Sequence, residues 1–271
     1  MRYGVTAVQL SPTYVAWDGY AEDLSDVLTP MRESSGGLQC HASYTAWLRD
    51  NDIDADPWDW ITYPQHCLSL IPKVMQPNAD RVPDSVQFVG PCLDPVRLDD
   101  RSWTAPDAPI LYISFGTGYN ERPEFYRLCI ETFANTDWHV VMSIGRRVDP
   151  AALGALPANI KVYEHVPQLT VLDAATVFIT HAGMGGCTEA LWFGVPTVAV
   201  PQAVDQFGNA AMLAELGVGV HLDFENITAK ILLDAVAEAR GSSSRAAAIS
   251  AEVRADGGVE QAADAVEAFR R

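Results

Sequence analysis

Basic residues are scarce: 18 Lys and Arg stand against 35 Asp and Glu in 271 residues, a formal charge of −17. Such a field repels polyanions, which excludes nucleic acid and anionic membrane surfaces as partners and leaves any anionic ligand to be held by local geometry. Cysteine is sparse as well. The five (Cys40, Cys67, Cys92, Cys129, Cys187) are odd in number, widely spaced and form no C-x-x-C pair. That usage argues for reduced thiols in a cytoplasmic protein and against a disulfide framework or a zinc site. Long apolar runs are missing too. No stretch approaches the ~18 apolar residues of a membrane span, and the opening "MRYGVTAVQLSPTY" lacks the apolar core of a signal peptide. What is present is 48% hydrophobic residues with only 20% charge, the composition of a folded chain of one large or two ordinary domains.

Periodicity divides the chain unequally. The break falls in a proline-punctuated segment with scattered charges, so that residues 1–91 form a first domain, 92–107 a linker and 108–271 a second domain. In the second domain short, continuous apolar runs ("ILYISF", "WHVVMSI", "IKVYEHV", "VFIT", "TVAVP") alternate with helical patterns ("EFYRLCIETFAN", "LTVLDAA", "CTEALWFG"). This is the rhythm of an α/β protein whose parallel sheet is covered by helices on both faces. Three helical segments, at about 205–215, 228–239 and 243–270 with a break at Gly257-Gly258, close the chain, and "GSSSR" reads as a turn and N-cap. The first domain is less regular. "TAVQLSP" and "CLSLIP" read as strands, "QCHASYTAWLRDND" as an amphipathic helix, and "DGYAEDLSDVLTPMRESSGG" as a polar, mobile loop. Its rings (Tyr14, Trp17, Tyr20, Tyr44, Trp47, Trp58, Trp60, Tyr63) are core residues in the plainer reading and a pocket lining in the other.

Chemistry concentrates in "THAGMGGCTEALWFGVP", residues 180–196. Ligands of open parallel sheets sit beyond the carboxyl ends of the strands, and "VFIT" ends directly at His181. Gly183, Gly185 and Gly186 let backbone amides approach an anion, and the helix that follows presents its positive end there, about 0.3–1 kcal/mol of stabilisation for a phosphate. A dinucleotide site is the nearest rival, with Asp205 as the acid about 20 residues on. It fits poorly, because the third glycine of that fingerprint falls at Thr188 and the loop does not belong to the first βα unit.

The neighbouring segments sharpen this. "HVPQ" (165–168), "HAGMGGCTE" (181–189) and "PQAVDQFGN" (201–209) follow in order within 45 residues, each at a strand-to-helix turn. Together they resemble the nucleotide-sugar signature of the family 1, UDP-dependent glycosyltransferases, most closely its macrolide glycosyltransferases. The similarity runs through nearly the whole chain, from "LSPTYVAWDGY" to "GGVEQAADAVE". It implies a GT-B type fold of two facing Rossmann-like domains, here with the C-terminal one complete, the N-terminal one incomplete, and the last helix free to pack back on the latter. It implies that Val166 and Gln168 meet the uracil edge, with His165 in the place of a tryptophan that stacks on the base. His181 and the amides at Gly183, Gly185 and Gly186 hold the diphosphate, with Thr117 of "FGTGYN" nearby. Glu189 accepts from the ribose hydroxyls, and Asp205 with Gln206 grips the sugar. A carboxylate for a diol, a histidine donor for phosphate and an acid with an amide for a polyhydroxylated ring make chemical sense of each role.

The implied reaction is inverting transfer of a hexose, glucose by preference, from UDP to a hydroxyl of a macrolide or similar apolar acceptor, with no metal or other cofactor. Two positions depart from the family pattern: His165, and Gly186, where a serine or threonine is usual and where Thr188 or a backbone amide is the substitute. The front departs further. The family's general base, a histidine near the start of the first domain, is expected before Met1, and neither His41 nor His66 follows a first strand as that base does. Pairing with a missing N-terminal segment or another subunit would then cover the incomplete domain. The alternative reading is a catalytically inactive nucleotide-sugar-binding or auxiliary partner protein; an NAD-dependent oxidoreductase is the weakest of the three.

Overall fold

The computed structural model describes residues 7–118 and 120–269. The second part of the chain builds a six-stranded, fully parallel sheet from β4 (Ile110–Ser114), β5 (His139–Ser143), β6 (Ile160–Tyr163), β7 (Ala175–Thr180), β8 (Thr197–Ala199) and β9 (Gly219–His221), in the order β6-β5-β4-β7-β8-β9. The apolar runs are continuous because both faces are covered. Leu111 and Ile113 join a core beneath helices Pro123–Phe133 and Ala229–Gly241. The alternate residues Ile110 and Tyr112 pack on the other face, against Val171, Leu172 and Ala190 of helices Gln168–Ala174 and Met184–Phe193.

The strand order reverses between β4 and β7, which lie side by side with Ser114 opposite Thr180. Their carboxyl ends are therefore level, and the chain leaving β4 at Phe115-Gly116 emerges beside the chain leaving β7 at His181-Ala182. Thr180 also pairs with Ala199 of β8, which brings the "PQAVDQ" turn to the same edge. This is the topological switch point at which an open sheet leaves a crevice for a ligand.

The first part carries a three-stranded parallel sheet of β1 (Gln9–Ser11), β2 (Cys67–Ser69) and β3 (Val86–Phe88). The polar segment 18–37, expected to be a mobile loop, is helical instead, as Tyr20–Asp23, Ser25–Glu33 and the start of Ser35–Asp50. Leu24, Val27, Leu28 and Met31 recur at the spacing of a helix face. The segment is pinned by Leu28, which is buried, and by Asp23, which accepts hydrogen bonds from the Trp17 indole and Arg81, each at 2.8 Å. Core packing describes Trp17 but not Tyr44, Trp47, Trp60 or Tyr63, which are 38–52% exposed. The helix-spaced pattern of their segments faces outward instead.

Gln76 braces the first part where it meets the second. Buried, it accepts from the Val15 amide and donates to the Val15 carbonyl, both at 3.0 Å. Ile71 and Met75 share a core with Ala182, Cys187 and Ala210. Helix Gly258–Ala268 returns to the first sheet, where Ala265 packs with Leu68 and Val89. Residues 92–107 contain a short helix, Pro95–Leu98, capped by Asp94 and fastened to the second part by the Thr170 hydroxyl, which donates to the Asp100 carbonyl at 2.9 Å. In "GSSSR", Ser242 donates to the Ala239 carbonyl, closing the preceding helix rather than capping the next one.

Candidate functional site

His181 stands at the centre of the switch point. Its ring lies between two glycines that have no room for a side chain: a Cβ on Gly116 would meet Cε1 at 2.8 Å, and one on Gly183 would overlap Nε2 and lie 2.9 Å from Cε1. Gly116 also needs its freedom for a φ of +64°. Burial pushes the imidazole below its ordinary value, partly opposed by the charge of Asp205 and by the Ser114 backbone, and Nδ1 is on the buried side of the ring. The ring is thus neutral near pH 7 in the free protein, beside a carboxylate and below a helix start.

That helix, Met184–Phe193, has Gly183 as its N-cap and no side-chain cap. Its first internal bond runs from the Cys187 amide to the Gly183 carbonyl at 3.0 Å. The amides of Met184, Gly185 and Gly186 are accordingly left to an external acceptor, and they carry the positive end of the helix dipole. Gly185 faces open space, and a Cβ on Gly186 would find its nearest neighbours at 3.6 Å. The Thr188 hydroxyl does not stand in for a hydroxyl at Gly186: it donates to the Gly185 carbonyl at 3.0 Å, inside the helix.

The loop backbone is strained where it turns. Ala182, between histidine and glycine, sits at φ +60°, a left-handed conformation that costs an L-residue about 1–2 kcal/mol. Asn209, wholly buried, holds it there by donating to the Ala182 carbonyl at 2.9 Å and to the Asp205 carboxylate at 3.1 Å. Asp205 is otherwise exposed at the start of helix Gln206–Glu215. Gln206 is buried, and its Oε1 accepts from the Gln202 and Ala203 amides at 2.9 and 3.2 Å, so this oxygen shapes the turn and is not offered outward.

On the β4–β7 side one turn further out, Glu189 is buried, and both carboxylate oxygens are engaged. Arg97 donates to Oε1 at 3.0 Å and Gln168 to Oε2. The Tyr112 hydroxyl donates to the Gln168 Oε1 at 3.0 Å, and burial keeps this phenol protonated. Because Tyr112 donates, the Gln168 amide nitrogen is the end that faces Glu189. Val166 has its side chain in the core with Tyr112 and Phe178, so its backbone is the part free for a ligand, and no described residue pairs with its amide or carbonyl. His165 is exposed beside it.

Thr117 is exposed on the β4 turn, next to the glycine that touches His181. Asn120 shapes that turn by donating to the Gly116 carbonyl at 2.8 Å, and Arg147 reaches the Gly118 carbonyl at 3.3 Å. The structure thus brings Thr117, His181, Gly183, Gly185 and Gly186 to one end of the crevice with Asp205, and Val166, Gln168 and Glu189 to the other. Sequence reasoning missed Tyr112, Arg97, Asn120 and Asn209. Of these, Asn209 and Asn120 stood inside quoted motifs and Tyr112 inside a quoted strand, none with a role, and Tyr14 was read only as one ring among eight. The Tyr14 hydroxyl is buried without a partner among the described residues, near Asp205 and Cys187. His41 is elsewhere, with its Nε2 3.3 Å from Asp56, a residue whose other oxygen caps helix Pro57–Thr62.

Residues 127–266, just over half of the chain, match the family described as erythromycin biosynthesis protein CIII-like, C-terminal domain. The chain belongs to this glycosyltransferase family. It is 42% identical to oleandomycin glycosyltransferase of Streptomyces antibioticus over 98% of its own length and 64% of that protein's. It is 33% identical to the NDP-glycosyltransferase YjiC of Bacillus subtilis over 100% of its length and 69% of the relative's. The glycosyltransferase of kitacinnamycin superposes on 98% of the chain with a TM-score of 0.90 at 37% identity, the chain covering 71% of that structure. The fold is GT-B, with the six-stranded sheet as its C-terminal Rossmann-like unit. The chain spans slightly under two thirds of the length of the oleandomycin enzyme. In the described residues no helix is long and apolar enough to cross a membrane.

Proposed function

We propose that the switch-point crevice binds a nucleoside-diphosphate hexose and that the chain supplies the donor half of an inverting glycosyl transfer, from UDP-glucose to a hydroxyl of a macrolide or similarly apolar acceptor. The observation that carries this reading is His181, a partly exposed ring wedged between Gly116 and Gly183, beside three helix-start amides that no side chain caps. A diphosphate accepts from the amides and from the accessible edge of the ring at once. Its negative charge favours the imidazolium form of His181, turning a neutral ring into a charge-assisted donor.

With the diphosphate at that end, the base lies toward Val166 and His165, the ribose at Glu189 and the hexose toward Asp205. In the transfer, the acceptor hydroxyl oxygen attacks the anomeric carbon from the face opposite the leaving group, and its proton passes to a general base on the acceptor side. The bond from that carbon to the phosphate oxygen breaks, and its electron pair ends on the diphosphate. His181 and the amides receive the growing charge where it develops, which is how preorganised donors lower a barrier. Because helix end and histidine neutralise the leaving group, the reading requires no metal. The linker placement, at 92–107, is part of the same proposal: it carries Arg97 to the nucleotide end of the crevice.

Calorimetry with UDP, UDP-glucose, dTDP-glucose and NADH tests the donor site. Heat is expected with the nucleotide sugars and none with NADH; no heat with any nucleotide sugar refutes the reading. Glucose transfer to a macrolide, followed by mass spectrometry, then separates an enzyme from a binding partner.

A further inference from the structure

Glu189 is the acid this reading gives to the ribose, and it is already neutralised by a residue from outside the second domain's sheet and helices. Arg97 comes from the short helix Pro95–Leu98, which Asp94 caps and the Thr170–Asp100 hydrogen bond holds in place. The guanidinium is about half exposed, whereas the Glu189 side chain is 10% exposed. Gln168 takes the other oxygen. A carboxylate has about four acceptor positions. Two are filled by the protein, which leaves two for a diol.

Arg97 changes what a missing hydroxyl costs. A buried carboxylate that depends on a ligand for its donors penalises any ligand lacking one, because a desolvated charge is left unpaired. Here both oxygens keep a protein donor whether or not the 2′-hydroxyl is there. We infer that Arg97 makes the ribose subsite tolerant, so that the site takes ribonucleoside and 2′-deoxyribonucleoside diphosphates with similar affinity. The inference rests on the ribose role of Glu189 and goes beyond it by assigning the sugar selectivity of the nucleotide to a linker residue.

The test compares UDP with 2′-deoxy-UDP, which differ by that hydroxyl alone, by calorimetry on the whole chain. In the wild type the two dissociation constants fall within about fivefold, the range of one neutral hydrogen bond. In Arg97→Ala, 2′-deoxy-UDP loses affinity more than UDP, and the ratio opens to about tenfold or more, the range of a hydrogen bond to an unpaired charge. Arg97→Lys, which keeps a cationic donor, returns the ratio toward the wild-type value. A wild-type ratio above about thirtyfold, or a ratio that Arg97→Ala leaves unchanged, overturns the inference. Glu189→Gln tells which layer has failed. If it weakens UDP at least tenfold while the Arg97→Ala ratio stays flat, only the role of Arg97 falls. If it leaves UDP binding untouched, or if wild type binds neither nucleotide, the donor-site reading falls and the inference with it.

Discussion

Gly183→Ala isolates the phosphate loop from the fold that supports it. Gly183 sits at φ −65° and ψ 143°, a conformation open to any residue, so alanine brings no backbone strain. It also removes unfolded-state freedom, a gain of about 0.4–1 kcal/mol. Its Cβ, however, lies 2.9 Å from Cε1 of His181 and nearer still to Nε2. Carbon atoms rest at about 3.5–4.0 Å, so the ring must retreat by roughly 0.6–1 Å. Gly116 closes the other side, and the ring therefore leaves its rotamer at a cost of about 0.5–1.5 kcal/mol. The two effects on stability nearly cancel, which predicts a melting temperature within about 4 °C of wild type. Binding has no such compensation. A displaced His181 forfeits a charge-assisted bond to the diphosphate worth about 1.5–3 kcal/mol, a 10- to 150-fold loss in UDP affinity. Calorimetry with UDP and a thermal melt of the same sample read both quantities. A variant that melts like wild type and binds UDP equally well would show that the loop is not the phosphate site.

Three other predictions follow from the same crevice. Because burial lowers the His181 pKa from 6.5 in the folded state, the unfolded chain binds more protons, so this residue's contribution to stability is present above about pH 6.5 and is lost as pH falls through the lowered folded value. UDP reverses the shift, so binding takes up a proton and tightens from pH 7 to 6, which calorimetry in two buffers of different ionisation enthalpy measures; no proton uptake contradicts His181 as the phosphate donor. Gly186→Ser fits without a clash, since nothing lies closer than 3.6 Å to the new Cβ. It should add a few tenths of a kcal/mol of helix stability and tighten UDP up to about tenfold; an unchanged dissociation constant means that Gly186 does not face the phosphates. Asn209→Ala removes the donor that holds both the left-handed Ala182 and Asp205. A loss of about 1–3 kcal/mol in urea unfolding is expected, with UDP-glucose weakened more than UDP, and equal weakening of the two would detach Asp205 from the sugar.

The elements that were legible in the sequence are those whose signal is local. β4, β5 and β7 are strands of five or six residues with a continuous apolar centre, long enough to stand out from their surroundings. β3 and β9 have three residues each, too few for any period to show, and are strands because they pair with β2 and β8 at the sheet edges. Segment 18–37 misled because its composition is polar while its few apolar residues keep helical spacing. Tyr44, Trp47, Trp60 and Tyr63 misled in the opposite sense, since ring chemistry does not say which face of a helix is covered.

The same division holds at the site. By itself the sequence determined that a histidine, a glycine turn and a helix start follow one apolar strand, and that two further polar turns lie close by, one before it and one after. Those facts depend only on neighbours along the chain. Tertiary structure alone decided that Gly116 presses on His181, that Asn209 reaches back 27 residues to the Ala182 carbonyl, and that Arg97 crosses 92 residues to neutralise Glu189. Each depends on a parallel sheet with its order reversed between β4 and β7, which sets strand ends far apart in the chain at one level. No spacing along the sequence encodes such contacts, because crossover connections, not local periodicity, choose which turns meet.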